Sequence, residues 1–382
     1  GKRGNDIVLT IDIELQKEIE KILEEEVVRA KKQGATEYYN RSYVVIQQPN
    51  TGEILAMSGK QVVKSGNEYK VYDVTPGIVT NPMTPGSVVK GASIIVGYHT
   101  NAIKMGEYMN DSCIKIYMKP QKCSWSKLGR INDIDALAYS SNIYQFKTAM
   151  KVDGYNYTYN GKFNAKKETF DIYRNIFNQF GLGVKTGIDL PVESVGNIGT
   201  DYSSDLLLNF SIGQYDTYTT MQLSQYITTF ASNGNRYQPH LLKAVYDSSD
   251  SNKLGELLYE VEPVILNKVN AKEEYIKRAQ KGLRAVITYG LGKNIMGDSP
   301  SPSGKTGTSE SFLDTDGDGI VDTETLSNAF VGYAPSDNPV MSITVTSPDL
   351  VNPNSKSSSR SYLNHRLTKL LSNKFFELYN ND

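Results

Sequence analysis

Strand-like runs lie near both ends of this chain, and a long, mainly helical stretch separates them. Val44-Val45-Ile46 and Gly52-Glu53-Ile54-Leu55-Ala56-Met57 read as a hairpin over 42–59, turned by Pro49-Asn50-Thr51-Gly52. Three further runs come late, at Gly304–Phe312, Asn328–Ala334 and Val340–Ser347. That order predicts an α/β (α+β) chain: one antiparallel sheet flanked by helices, plus an all-helical lobe.

The helices show in the apolar spacing. Over 11–34, Leu15, Ile19, Ile22 and Leu23 share one face, with Glu and Lys on the other. Further helices are expected from about Ser87 to Tyr98, at Met221–Asn233, at Glu273–Thr288 and at Leu363–Tyr379, and 99–180 reads as largely helical with loops. Residues 60–84, 180–191 and the serine-rich 352–361 read as loops, and the tyrosine-rich 152–167 as a surface insertion. With 382 residues the chain can bury a large core, as one lobed domain or two domains. A net charge of −1 gives no electrostatic case for nucleic acid as a partner. No stretch approaches the roughly 20 apolar residues of a membrane span.

The chemistry centres on Thr84-Pro85-Gly86-Ser87-Val88-Val89-Lys90. Pro and Gly set a turn, and a helix starting there places Ser87 and Lys90 one turn apart on one face. A serine hydroxyl needs a base to be nucleophilic at neutral pH, and a desolvated lysine can be that base. Free N–H groups at the helix start can stabilise an oxyanion. Two later stretches add to the pattern, Ser140-Ser141-Asn142 and Lys305-Thr306-Gly307-Thr308. A second Lys-Thr-Gly, at Lys185-Thr186-Gly187, lies among turn residues without strand alternation and is set aside.

The ordered set Ser-x-x-Lys, Ser-x-Asn, Lys-Thr-Gly is the signature of penicilloyl-serine transferases. With it, the chain resembles the transpeptidase domain of class B penicillin-binding proteins over almost its whole length, including Gly4–Asp12 and Phe330-Val331-Gly332-Tyr333-Ala334-Pro335. The resemblance implies a single transpeptidase domain over 1–382, with a helical lobe at about 99–300 inserted in the sheet lobe and the catalytic cleft between them. It also implies a membrane anchor and a pedestal domain ahead of residue 1, a place on the outer face of the bacterial cytoplasmic membrane, and a membrane glycosyltransferase partner. The expected substrates are peptidoglycan stem peptides ending in D-Ala-D-Ala, and β-lactams would acylate the same serine.

In that reading Ser87 is the nucleophile and Lys90, uncharged, accepts its proton. Ser140 relays a proton to the leaving amine, and Asn142 binds the substrate's backbone amide. Lys305 holds the substrate carboxylate and tunes Lys90. Thr306 alternates away from Lys305 along the strand. Thr308 offers its hydroxyl to the carboxylate and its N–H to the oxyanion, and Gly307 lets the substrate backbone come close. No cofactor is needed for the chemistry.

Two metal sites are candidates. His99, Asp111, Cys113 and Cys123 make a donor set suited to tetrahedral structural zinc, with Asp133 or Asp135 as substitutes for Asp111. A Cys113–Cys123 disulfide and two unpaired thiols are the other readings. Asp314-Thr-Asp316-Gly-Asp318-Gly-Ile-Val-Asp322 has the oxygen spacing of a calcium loop, but Thr325 stands where a bidentate glutamate is expected, which favours a hydrated turn between two strands. Three other functions share the motifs: a β-lactamase, for which Glu193 lies in a candidate deacylating region, a D,D-carboxypeptidase, and a non-enzymatic β-lactam receptor.

Overall fold

A computed structural model describes residues 3–249, 253–357 and 361–379. Residues 1–2 and part of the serine-rich loop expected at 352–361 lie outside them. The chain opens with β1 (Asp6–Leu9), α1 (Ile13–Lys31), β2 (Arg41–Gln47), β3 (Ile54–Ser65), β4 (Glu68–Asp73) and the short α2 (Gly77–Thr80). A single 3-10 turn, Gly86–Val89, leads into α3 (Lys90–His99). Then come β5 (Met109–Asp111), β6 (Gly129–Ile131), α4 (Asp133–Ala138), α5 (Asn142–Val152), α6 (Lys167–Gln179), α7 (Ser204–Ser211) and α8 (Thr220–Ala231). Four short strands follow, β7 (Asn235–Tyr237), β8 (Leu242–Tyr246), β9 (Leu257–Glu260) and β10 (Ile265–Lys268). The chain closes with α9 (Glu273–Thr288), β11 (Ser303–Leu313), β12 (Thr323–Ala334), β13 (Met341–Val351) and α10 (Leu363–Tyr379).

The two ends do meet in one sheet. Six antiparallel strands run in the order β11-β12-β13-β2-β3-β4. Strand alternation divides their side chains between two cores: Val44 and Ile46 face a core shared with α1 and α10, while Tyr43 and Val45 pack with Ile78 of α2 and Met221 of α8. β11 is an edge strand, so one row of its peptide groups has no partner strand.

The helices between the sheet halves have their own core. From Lys90 to Tyr98, α3 is buried on every side, as an apolar helix threading a core must be. Around it stand the aromatic rings of Phe170, Tyr173, Phe177 and Phe210, from α6 and α7.

Three expectations change. Residues 60–84 are not a plain loop: β3 runs on to Ser65 and turns through Gly66-Asn67 into β4, with Ser65 opposite Glu68. The 152–167 stretch is not a free insertion, because Phe163 is buried and its ring stacks on Tyr155, 4.8 Å between centroids. The expected helical middle also contains β5 to β10, in three small sheets, one of which includes β1.

Candidate active site

The turn carrying Ser87 is clamped from two sides. Gly86 has φ +62°, and its N–H donates to the Gly213 carbonyl at 2.9 Å. A Cβ on Gly86 would lie 2.5 Å from the Thr308 carbonyl oxygen, so glycine alone permits this approach to β11. Ser309 Oγ donates to the Thr84 carbonyl at 2.7 Å, and Tyr226 Oη to the Val88 carbonyl at 2.8 Å. The spacing predicted an α-helix from Ser87. Instead the first turn is 3-10, a common opening for a helix, and the α-helix begins at Lys90. The Lys90 N–H donates to the Ser87 carbonyl, so the two residues are one turn apart, with Ser87 partly exposed and Lys90 fully buried.

Lys90 points at the α4–α5 junction. Its Nζ donates to the Ser140 carbonyl at 2.8 Å, to Ser140 Oγ at 3.2 Å and to Asn142 Oδ1 at 2.6 Å. No hydrogen bond joins Nζ to the Ser87 hydroxyl among the described residues. Ser140 takes φ +55°, a left-handed conformation that a non-glycine residue holds at a cost of order 1 kcal/mol or more. That turn presents its hydroxyl to a second amine, Lys305 Nζ, at 3.0 Å.

Lys305 is fully buried and also donates to the Thr306 carbonyl at 2.8 Å. Burial lowers its pKa to about 7. Burial, with the Lys305 charge beside it, holds Lys90 well below the usual lysine value, against the pull of Asp111. A hydroxyl shared by two amines can donate its proton to only one of them and accept from the other. With two lone pairs the oxygen can also accept from both, so Ser140 stays bonded to the pair whether or not one amine is neutral.

On β11, Thr306 is half-buried and Thr308 exposed. Gly307 departs from its expected role. A Cβ there would lie 2.8 Å from the Pro85 carbonyl oxygen and 2.9 Å from Val88 Cγ1. The close neighbour is the turn carrying Ser87, so the missing side chain lets that turn pack against β11. Lys185-Thr186-Gly187, the set-aside copy, lies in a loop under Glu193, whose carboxylate accepts from the Thr186 N–H and hydroxyl and from the Gly187 N–H. Glu193 is thereby engaged in its own loop.

The zinc set does not assemble. Bridging of Ile114 to Lys122 folds the intervening segment back on itself, and Cys113 and Cys123 are joined by a disulfide. Both thiolates of the expected set are consumed. His99 is exposed at the end of α3. The substitutes are also engaged: Asp133 accepts from Tyr98 Oη and the Arg278 guanidinium, and Asp135 from Tyr289 Oη.

Asp111 holds a different post. Its Oδ2 accepts from Ser124 Oγ at 2.8 Å and from Ser141 Oγ. Those hydroxyls in turn accept the free N–H groups at the start of α5: Ser124 from Asn142 at 3.1 Å, Ser141 from Tyr144 at 2.9 Å. Ser124 and Ser141, which the motif pattern did not single out as functional, thus anchor the turn that presents Ser140 and Asn142. Ser141 carried a legible signal, its place as N-cap before an apolar run; Ser124 carried none.

The calcium set is incomplete too. The carboxylates of Asp314, Asp316 and Asp318 come within 4.8 Å of one another in the exposed turn between β11 and β12. Asp322 accepts from the Thr315 hydroxyl, and Thr325 is buried with its hydroxyl donating to Asp349 at 2.8 Å. Neither completes a coordination shell.

Residues 42–366 match the family model described as the penicillin binding protein transpeptidase domain. The chain belongs to that family. Penicillin-binding protein 2A of Bacillus subtilis (strain 168) is 43% identical over 350 residues, which cover 91% of this chain and 49% of that protein. Penicillin-binding protein 2B of Streptococcus pneumoniae is 36% identical over 367 residues, covering 92% of this chain and 52% of the relative. The chain thus spans about half the length of these curated relatives. A solved structure of penicillin-binding protein 2B from Streptococcus pneumoniae (strain R6) superposes with a TM-score of 0.89 at 31% identity, over 99% of this chain and 61% of that one. The Ser87, Ser140 and Lys305 stretches all fall within the matched residues 42–366.

Proposed function

We propose that the chain is the catalytic part of a bacterial serine D,D-transpeptidase that cross-links peptidoglycan stem peptides through an acyl-enzyme and is acylated by β-lactams. Its single transpeptidase domain comprises a sheet lobe and an inserted helical lobe. The observation that carries this is the Ser140 hydroxyl standing between two buried amines, with Ser87 one turn from the first of them.

Neutral Lys90 accepts the Ser87 proton as Oγ attacks the carbonyl of the penultimate D-Ala. The oxyanion is met by the N–H groups of Ser87 and Thr308. Thr308's N–H is available for a structural reason. The Thr306 carbonyl accepts from Lys305, which puts that residue's peptide groups toward the open edge of β11. In an antiparallel pair the direction repeats every second residue, so Thr308 shares that edge. The proton then passes from Lys90 through Ser140 Oγ to the leaving nitrogen, the C–N bond breaks, and D-Ala departs. Asn142 Oδ1 is engaged by Lys90, which leaves its Nδ2 donors for the substrate's backbone carbonyl. An amine of a second stem attacks the ester and gives up a proton to Lys90, which passes it to the departing Ser87 Oγ; the C–O bond breaks, the new amide forms, and Ser87 and Lys90 return to their hydroxyl and neutral forms. Lys305 and Thr308 bind the substrate carboxylate, with Thr306 lining the same strand. The reaction requires no metal or other cofactor.

Work on stem peptides places the protein on the outer face of the cytoplasmic membrane, beside a membrane glycosyltransferase that makes the glycan strands. Intact-mass spectrometry after exposure to benzylpenicillin tests the proposal. The parent protein gains one penicilloyl group and Ser87→Ala gains none; a Ser87→Ala protein that is labelled equally overturns the assignment.

A further inference from the structure

A cleft of about 790 Å³ leads away from the site. Asn142 and Thr84 stand at its catalytic end, and Ser311, Ser327 and Arg41 line it farther along the sheet. On β11 its wall runs from Glu310 to Leu313, two to five residues past Thr308. At about 3.3 Å per residue, that is roughly 7 to 17 Å along the strand. A peptide reacting at Ser87 and following the β11 edge would lay its upstream residues along this wall.

Arg41 is under-used for a buried-edge guanidinium. It has five N–H donors. Nη1 donates to Asn40 Oδ1 at 2.8 Å. Nη2 lies 3.9 Å from Asp349 Oδ2, beyond hydrogen-bond reach, and the Nε proton has no acceptor. Asp349 has its own partner, the Thr325 hydroxyl. The other charges on the wall differ. Lys122 is held by Asn209 Oδ1 at 3.3 Å and Asp205 at 3.8 Å, and Glu310 is exposed nearer the Thr308 end. The side chain of Arg41 is 28% exposed although Nε is buried, so a ligand reaches it through the Nη nitrogens.

We infer that Arg41 forms a carboxylate-binding subsite for the acyl-donor peptide, recognising an acidic residue upstream of the bond that Ser87 breaks. This rests on the acyl-transfer reading above. A planar guanidinium with unspent donors matches a carboxylate in two parallel hydrogen bonds, which neither a carboxamide nor a lysine in its place reproduces. Lys305 would hold the terminal carboxylate and Arg41 the upstream one, fixing the peptide's direction along β11.

Binding can be measured without turnover. In the Ser87→Ala protein, isothermal titration compares pentapeptides ending in D-Ala-D-Ala that carry Glu or Gln at each upstream position in turn. At one position Glu binds about tenfold tighter than Gln, or about 1.4 kcal/mol. Adding Arg41→Gln removes that preference. Adding Arg41→Lys, which keeps the charge beside Asp349 and so protects the fold, reduces it several-fold, with melting temperature as the check on folding. A parent with no preference at any position, or a preference that persists undiminished in both variants, overturns the subsite. Benzylpenicillin labelling of the Ser87 protein is scored separately, so failure of the transferase reading is distinguishable from failure of the subsite.

Discussion

Gly307→Ala tests the packing of β11 against the turn that carries Ser87. The new Cβ would stand 2.8 Å from the Pro85 carbonyl oxygen, 2.9 Å from Val88 Cγ1 and 3.1 Å from the Val88 nitrogen. These separations are about half an ångström short of ordinary van der Waals contact. Two of the three neighbours are backbone, on a turn already held by Gly213, Ser309 and Tyr226. The turn must shift or β11 must bow, at a cost of about 1–3 kcal/mol for overpacking. At about 2.1 cal/mol/K of unfolding entropy per residue, each kcal/mol lowers the melting temperature by a little over 1 °C in a chain of this size. A displacement of half an ångström at a nucleophile, where 1 Å costs about a hundredfold, gives about a tenfold loss in acylation. The assay is the second-order rate of labelling by a fluorescent penicillin, beside a thermal melt. Both should fall. If labelling falls while the melt is unchanged, Gly307 serves the substrate's approach and not the seating of Ser87. Labelling within twofold of the parent refutes the clash altogether.

The lysine pair predicts two pH dependences. Lys305 titrates near 7 when folded and near the usual 10.5 when unfolded, so the unfolded chain binds more protons between those values, and the native state gains stability as pH rises through that window. Lys305→Met should therefore melt higher than the parent at pH 7, with an advantage that shrinks toward pH 10; a constant difference would refute the buried titration. Acylation should also decline above about pH 7, as Lys305 loses the charge that holds substrate carboxylate, and a flat rate from pH 7 to 9 counts against it. Asp111 favours the charged form of Lys90, so Asp111→Asn should move the acidic limb of the acylation profile to lower pH, whereas an unmoved limb would leave Asp111 a purely mechanical anchor. Thiol titration without reductant should find neither cysteine reactive, and Cys113→Ser with Cys123→Ser should lose about 2–3 kcal/mol, as expected for a separation of 10 residues; two free thiols with stoichiometric zinc would overturn the disulfide.

The sheet and the main helices were legible because they announce themselves locally. Val44 and Ile46 alternate with Tyr43 and Val45, and the alternation survives as two separate cores. β4 escaped notice because an exposed edge strand has little apolar pattern to read: Glu68-Tyr-Lys-Val-Tyr-Asp73 is mostly solvated. Its turn was nonetheless visible, since Gly66-Asn67 is a two-residue hairpin pair of the usual kind. The strands between Asn235 and Lys268 were missed for the reason that β4 was. They are short, β9 and β10 are largely exposed, and their pairing with β1 or with one another carries information that no window of sequence holds.

The site divides in the same way. Ser87 and Lys90 are one turn apart, so their spacing alone encodes their shared face. Ser140 and Lys305 are 165 residues apart, and only the known order of the motifs joined them before the fold did. What spacing could not reveal is which atoms are spent. Asp111 and the two cysteines have a metal's chemistry, yet Asp111 is consumed by hydroxyls of Ser124 and Ser141, and the thiols by each other. Gly307 looks like room left for a substrate until Pro85 and Val88, more than two hundred residues earlier, fill it. Residue type limits what a group can do, but its partners decide what it does, and those partners are set by packing over distances the sequence pattern does not span. Arg41 is the converse case. Its type promises a strong anion contact, its fold partners leave donors on the Nη nitrogens unspent, and those are what a ligand can use.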